Sequence, residues 1–195
     1  VICSEYKLKK RDKRAKMAKI ITPPAILSYP FLFKPQKNDK GDDIYSCVLV
    51  FPKGTDMTAL NNAAREAARE EWGDKGEDFF RKQKHPIFRT DEEKGYPEGS
   101  IFMRVKTKEK PGIVGRYKGT DGKPLQITDP AEVYAGCMVK ASVNAAAYDH
   151  PTTGKGVSFW LGNIQKVGEG QRLDGRKKAE DEFDGEEAPA ADDLL

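Results

Sequence analysis

The stretch SIFMRVKTK, residues 100–108, decides how this chain is to be read. Its β-branched and aromatic residues, in strict alternation, mark a strand. The odd positions Ile101, Met103, Val105 and Thr107 form one face, and read as core. The even positions Phe102, Arg104, Lys106 and Lys108 form the other, which carries one ring and three cations. Such a strand buries one face and turns the other toward water, as antiparallel sheets do.

The pattern recurs downstream. In 137–148, Cys137, Val139, Ala141, Val143, Ala145 and Ala147 alternate with Met138, Lys140, Ser142, Asn144, Ala146 and Tyr148. In 157–161, Val157, Phe159 and Leu161 alternate with Ser158 and Trp160. Strands are predicted over 25–33, 44–51, 100–108, 112–118, 133–148 and 156–167. Pro30 implies an edge or a bend in the first. NDKGDD reads as a hairpin link, and DGKP and DHPTTGKG as turns. The clear helix covers 56–72, DMTALNNAAREAAREEW, with Asp56 as N-cap and Gly73 as stop. A short second helix is predicted over 77–84, and loop over 85–99. Five or six strands and one main helix make the chain mainly β. The matching architecture is an OB-fold-like antiparallel barrel with a helical insertion.

At 195 residues there is enough chain for one sizeable core. Charge divides it into three parts. Residues 1–16 carry seven bases and two acids, and read as a basic leader, either added sequence or a disordered arm; Met17 reads as a natural start. Residues 17–168 form the expected OB-fold domain. Residues 169–195 read as a flexible tail, too polar to order itself, which carries eight acids from Ala179 onward and no base there.

Cys3, Cys47 and Cys137 make neither a metal spacing nor an even set, and fit reduced thiols in a reducing cytoplasm. No apolar run is long enough to cross a bilayer, so no membrane partner is expected. His85 and His150 each precede a proline and read as turn residues. No zinc, phosphate-loop, dinucleotide or nucleophile-elbow motif occurs. Acids at 42–43 and 91–93 make only a weak case for Mg²⁺. The chain is therefore read as a binder with no catalytic residue, no metal and no cofactor.

What it binds is suggested by the polar faces. Phe102, Tyr148 and Trp160 put large rings opposite the aliphatic faces of three strands, and GIVGRYKG adds Tyr117 between Arg116 and Lys118. Rings among cations suit an unpaired nucleic-acid strand: bases stack at roughly 1–3 kcal/mol each, and cations meet the phosphates. The predicted stackers are Phe102, Tyr117, Tyr148 and Trp160. The predicted phosphate contacts are Arg104, Lys106, Lys108, Arg116, Lys118 and Lys140. Of Tyr29, Phe31 and Phe33, two are assigned to the core and one to the platform.

SYPFLFKP (28–35), LVFPKGTDMTAL (49–60), EEWGDK (70–75), RVKTKEKPGIV (104–114), ITDPAEVYAGC (127–137), KASVNAAAYD (140–149), GVSFWLGNIQKVGEGQRLDGR (156–176) and AEDEFD (179–184) occur in this order. Together they resemble a tailed-phage family, first catalogued as a domain of unknown function and later recognised as single-stranded-DNA-binding proteins. The likeness is strong to the member from an enterobacterial phage, and spans about residues 18–184. It implies an OB-fold, sequence-independent binding of single-stranded DNA in phage replication or recombination, and an acidic C-terminal tail like those of other replication proteins of this kind. It implies no catalysis, and the cytoplasm of an infected bacterial host as the location.

The tail mimics DNA in charge, so it is expected to compete with DNA for the basic face. When released it would recruit phage or host replication proteins through Phe183, Asp184, Glu186, Glu187, Asp192 and Asp193. Double-stranded DNA binding of an architectural kind, or strand annealing, stands as the alternative. A homo-oligomer or a cooperative array on DNA stays open.

Overall fold

The structure, a computed structural model, describes residues 19–83, 87–89, 96–173 and 175. In chain order the elements are β1 (Ile20–Ile21), β2 (Ala25–Lys37), β3 (Asp43–Phe51), α1 (Thr58–Trp72), a 3₁₀ turn (Gly73–Lys75), α2 (Gly76–Arg81), β4 (Ile101–Thr107), β5 (Ile113–Lys118), β6 (Pro124–Gln126), a second 3₁₀ turn (Pro130–Glu132), β7 (Met138–His150) and β8 (Gly154–Gly168).

Five of the strands close into a ring: β2 pairs with β3, β3 with β4, β4 with β8, β8 with β7, and β7 with β2. Every pairing in the ring is antiparallel except β4 with β8, which is parallel where Lys106 lies opposite Trp160. This is the five-stranded, partly open OB barrel. β1 is appended to β7, and the β5–β6 hairpin extends from β8.

Alternation places the core as the sequence predicts. Met103 and Val105 of β4, Cys137 just before β7, Val139, Ala141, Val143 and Ala145 of β7, and Val157, Phe159 and Leu161 of β8 are all buried in one cluster. Cys47 and Cys137 are free thiols within it, and burial pushes the Cys47 thiol up to about 12. The long β7–β8 hairpin runs from Met138 opposite Gly168 to His150 opposite Gly154. Gly156 is required near its tip. A Cβ there would stand 2.5 Å from the Tyr148 hydroxyl, so the tyrosine ring lies across the bare glycine.

Helix α1 lies against this core through Leu60, Ala64, Ala67 and Ala68, which recur at helical spacing. Its alanines bring the helix close to β7. The helix is capped at Met57, one residue after the expected Asp56. The Asp56 carboxylate accepts from the Thr58 N–H at 2.9 Å, which satisfies a first-turn donor; the Thr58 hydroxyl first and this N–H second hold the carboxyl below its usual range. Lys155 lies over Phe79 at 4.5 Å and over Trp72 at 5.9 Å, tying the α1–α2 corner to the start of β8.

Several expectations need correction. The first strand continues past Phe33 to Lys37, and the second helix spans 76–81 rather than 77–84. β1 and β6 had no strand signal, being two and three residues long. Within the expected 85–99 loop, Arg89 forms a bridge with Phe102, its N–H donating to Phe102 O at 3.0 Å and its carbonyl accepting from Phe102 N at 2.8 Å. β3 already occupies the other edge of β4. Residues 87–89 therefore fill the seam that β8 leaves open below Lys106, and Phe88 packs on Phe159 at 6.3 Å.

Candidate nucleic-acid interface

The outer face of the barrel follows from strand register. Ser46 lies opposite Phe31 on β2 and opposite Lys106 on β4. Lys106 lies opposite Trp160 on β8, and Trp160 opposite Asn144 on β7. Directly opposed side chains share a face. The row Phe31–Ser46–Lys106–Trp160–Asn144 thus crosses all five strands of the ring, with a ring on either side of a lysine. Trp160 and Phe31 are three strand spacings apart, about 14 Å.

Arg104 lies two residues from Lys106 and shares its face. Both are exposed, and neither is paired with an acid among the described residues. Lys140 is half-buried on the same face of β7, opposite Gln165. It is four residues from Asn144, about 13 Å along the strand. Asn144 Oδ1 is buried with no hydrogen-bond partner.

Not every predicted residue joins this row. Phe102 does face outward, yet it is only 6% exposed. It packs with Val48 and Val50, with Ile26 and Tyr96 against them, and the Tyr96 ring tilts onto it at 5.7 Å. Tyr96 is fixed in turn by donating its hydroxyl proton to Ser28 Oγ at 3.0 Å. The expectation that Phe102 presents an open ring is therefore corrected: residues arriving from outside the strand cover it. Lys108 is exposed, but its ammonium meets Asp42 at 2.7 Å, so its charge is already partnered. Lys108 and Asn38 together hold the Asp42 carboxyl below its usual range.

Tyr148 is half-buried and folded over Gly156, four residues from Asn144 on the other side. Arg116, Tyr117 and Lys118 lie on β5, all exposed. Tyr117, 74% exposed, is the most open phenyl or indole ring among the described residues, and the Arg116 guanidinium lies 6.0 Å from its centroid. They form a separate arm reached through β8, since Val114 of β5 lies opposite Gln165, the partner of Lys140. Phe183, Asp184, Glu186, Glu187, Asp192 and Asp193 lie outside the described residues.

Strand alternation missed two rings. Phe31 is half-buried on the outer face, and Tyr29 is 52% exposed, whereas Phe33 packs against the core. Only one of the three is core, not two. The cause is a bulge: Ser28 pairs with Val48 and Phe31 with Ser46, so one extra residue intervenes on β2 and resets the odd–even count. Pro30 was the available signal.

A partly open five-strand barrel whose outer face sets the cations Arg104 and Lys106 of β4 between rings on β2 and β8 belongs to the oligonucleotide-binding class of OB proteins. The sequence profile described as "Enterobacter phage Enc34, ssDNA-binding protein" matches residues 18–195, and the chain belongs to that family.

The fold is similar to the single-stranded DNA-binding protein from bacteriophage Enc34 in complex with ssDNA, with a TM-score of 0.57 at 20% identity over 79% of this chain and 88% of that one. It is also similar to gp2.5, a single-stranded DNA-binding protein encoded by bacteriophage T7, with a TM-score of 0.57 at 15% identity over 89% and 100%. No relative is found among curated protein sequences.

Proposed function

We infer that this chain binds single-stranded DNA without sequence preference, and that the strand crosses the barrel along the Phe31–Ser46–Lys106–Trp160–Asn144 row. The register that brings Lys106 and Trp160 together carries this reading, because it joins a phosphate-meeting cation to a flat ring on one open face. Trp160 stacks a base, and Lys106 and Arg104 meet phosphates. Lys140 extends the track along β7. Arg116, Tyr117 and Lys118 offer a second contact on the β5 arm, and Tyr148 a third near the hairpin tip. Phe102 supports this surface from beneath.

In the infected host's cytoplasm, such a protein coats exposed single strands during phage replication and recombination and shields them from nucleases. The eight acids of residues 179–195 support a tail that competes with DNA for the cationic face and, once displaced, docks replication proteins.

The test is a competition between single- and double-stranded DNA at several salt concentrations. Single strands should win, with log affinity falling against log salt at a slope of about −0.7 per phosphate contact. Duplex affinity within a few-fold of single-strand affinity would instead support an architectural role. Deleting 179–195 should tighten binding at low salt; unchanged affinity would leave the tail only its recruiting role.

A further inference from the structure

Tyr29 combines two features that do not normally coincide. Its φ is +47°, the left-handed region, and it is the one non-glycine residue with positive φ among the described residues. It is also a large aromatic left 52% exposed. Left-handed geometry costs an ordinary residue stability, because Cβ crowds the backbone, and glycine would adopt it freely. An exposed ring returns little of that cost by burial. Such outliers persist only where the surroundings impose them, and they concentrate at binding sites.

The surroundings here are explicit. On one side Ser28 is buried, paired with Val48 and hydrogen-bonded to Tyr96. On the other, Phe31 is paired with Ser46. Between these anchors Tyr29 and Pro30 occupy the bulge, where a strand departs from its ladder and turns a side chain in a new direction. Tyr29 therefore stands at the border between the covered half of the outer face and the open row, two residues from Phe31, or about 7 Å along the strand.

We propose that Tyr29 is a DNA-stacking residue, held outward by its strained bulge, which receives the base next beyond Phe31 and so extends the single-strand track off the edge of the five-residue row. This rests on the single-strand reading above, and it adds a contact at the β2 end that neither strand alternation nor the cation pattern supplies.

The strain makes the proposal testable. Tyr29→Gly removes the ring and relieves the backbone together; Tyr29→Phe keeps the ring. Thermal unfolding and oligo-dT titration would be measured on both full-length variants, with wild type and Trp160→Ala alongside. Tyr29→Gly should lose about tenfold in affinity, the scale of one base–aromatic stack, while its Tm stays level with or above wild type. Tyr29→Phe should bind within about twofold of wild type.

Unchanged affinity in Tyr29→Gly overturns the proposal. So does a fall of several degrees in Tm accompanying the affinity loss, since the ring would then be a packing residue. If wild type does not bind oligo-dT at all, the single-strand reading itself fails. If wild type binds and Trp160→Ala weakens it while Tyr29→Gly does not, only the role of Tyr29 is lost.

Discussion

The outer face of the β3–β4 sheet has two halves built from the same alternation. In one, Phe102, Val48 and Val50 lie beneath Tyr96, next to the seam filled by residues 87–89. In the other, Lys106 is exposed and Phe31, Ser46 and Trp160 beside it are half-buried. Phe102 and Lys106 lie four residues apart on one face of one strand, yet one is buried and the other a surface charge. The difference teaches that a strand's period fixes which way a side chain points, while chain arriving from elsewhere decides whether water reaches it. The covered half should carry stability and the open half affinity.

Phe102→Ala breaks the comparison most strongly if it is wrong. Removing a buried phenyl from the small cluster should cost about 3 kcal/mol or more in denaturant unfolding, with little loss of DNA affinity in protein that remains folded. An affinity loss as large as that of Trp160→Ala, without destabilisation, would put Phe102 back on the binding surface.

Trp160→Ala is the reciprocal change. Affinity for oligo-dT should fall by about 1–3 kcal/mol, one stacking contact, with a far smaller shift in unfolding midpoint than Phe102→Ala gives. Tryptophan fluorescence should quench on DNA addition in wild type. In Trp160→Ala the remaining signal, from Trp72 at the α1–α2 corner, should respond weakly.

The smallest effects sharpen the open half. Lys106→Ala should reduce the magnitude of the salt slope by about 0.7. Lys108→Ala should reduce it less, because Asp42 already holds that ammonium, and Asp42→Asn should restore Lys108 as a contact and tighten binding. The Asp42 carboxyl is held low by Lys108 first and Asn38 second. Its contribution to folding is therefore complete above the ordinary carboxylate range and is lost as pH falls through its depressed value. An NMR titration of Asp42 should inflect below that ordinary range and move back toward it in Lys108→Ala.

Much of this was legible beforehand. Alternation placed the core of β4, β7 and the 157–161 part of β8 correctly, because those segments keep a period of two; beyond Leu161 a register shift on β8 brings Ile164 inward. The outward set of β4 was also legible, down to Arg104 and Lys106. Three things were not. Covering of Phe102 depends on Tyr96 and the 87–89 segment, whose contacts with β4 have no local signature. The Lys108–Asp42 pair joins residues distant in the chain. On β2, the Tyr29–Pro30 bulge resets the odd–even count, so alternation put two of Tyr29, Phe31 and Phe33 in the core where only Phe33 packs against it. Pro30 announced an irregularity without saying which neighbours it would turn outward.

The parallel meeting of β4 with β8 has a consequence for how the molecule matures. Lys106 and Trp160 belong to separate hairpin systems and become adjacent only once the last strand docks against the third strand of the ring. Contacts between distant segments form late and slowly in folding. A chain with both hairpins formed and this seam unmade would resemble the native protein in strand content while having no assembled surface for its ligand. Acquisition of DNA affinity during refolding should accordingly lag behind the appearance of β structure, making ligand capture a clock for closure of the ring.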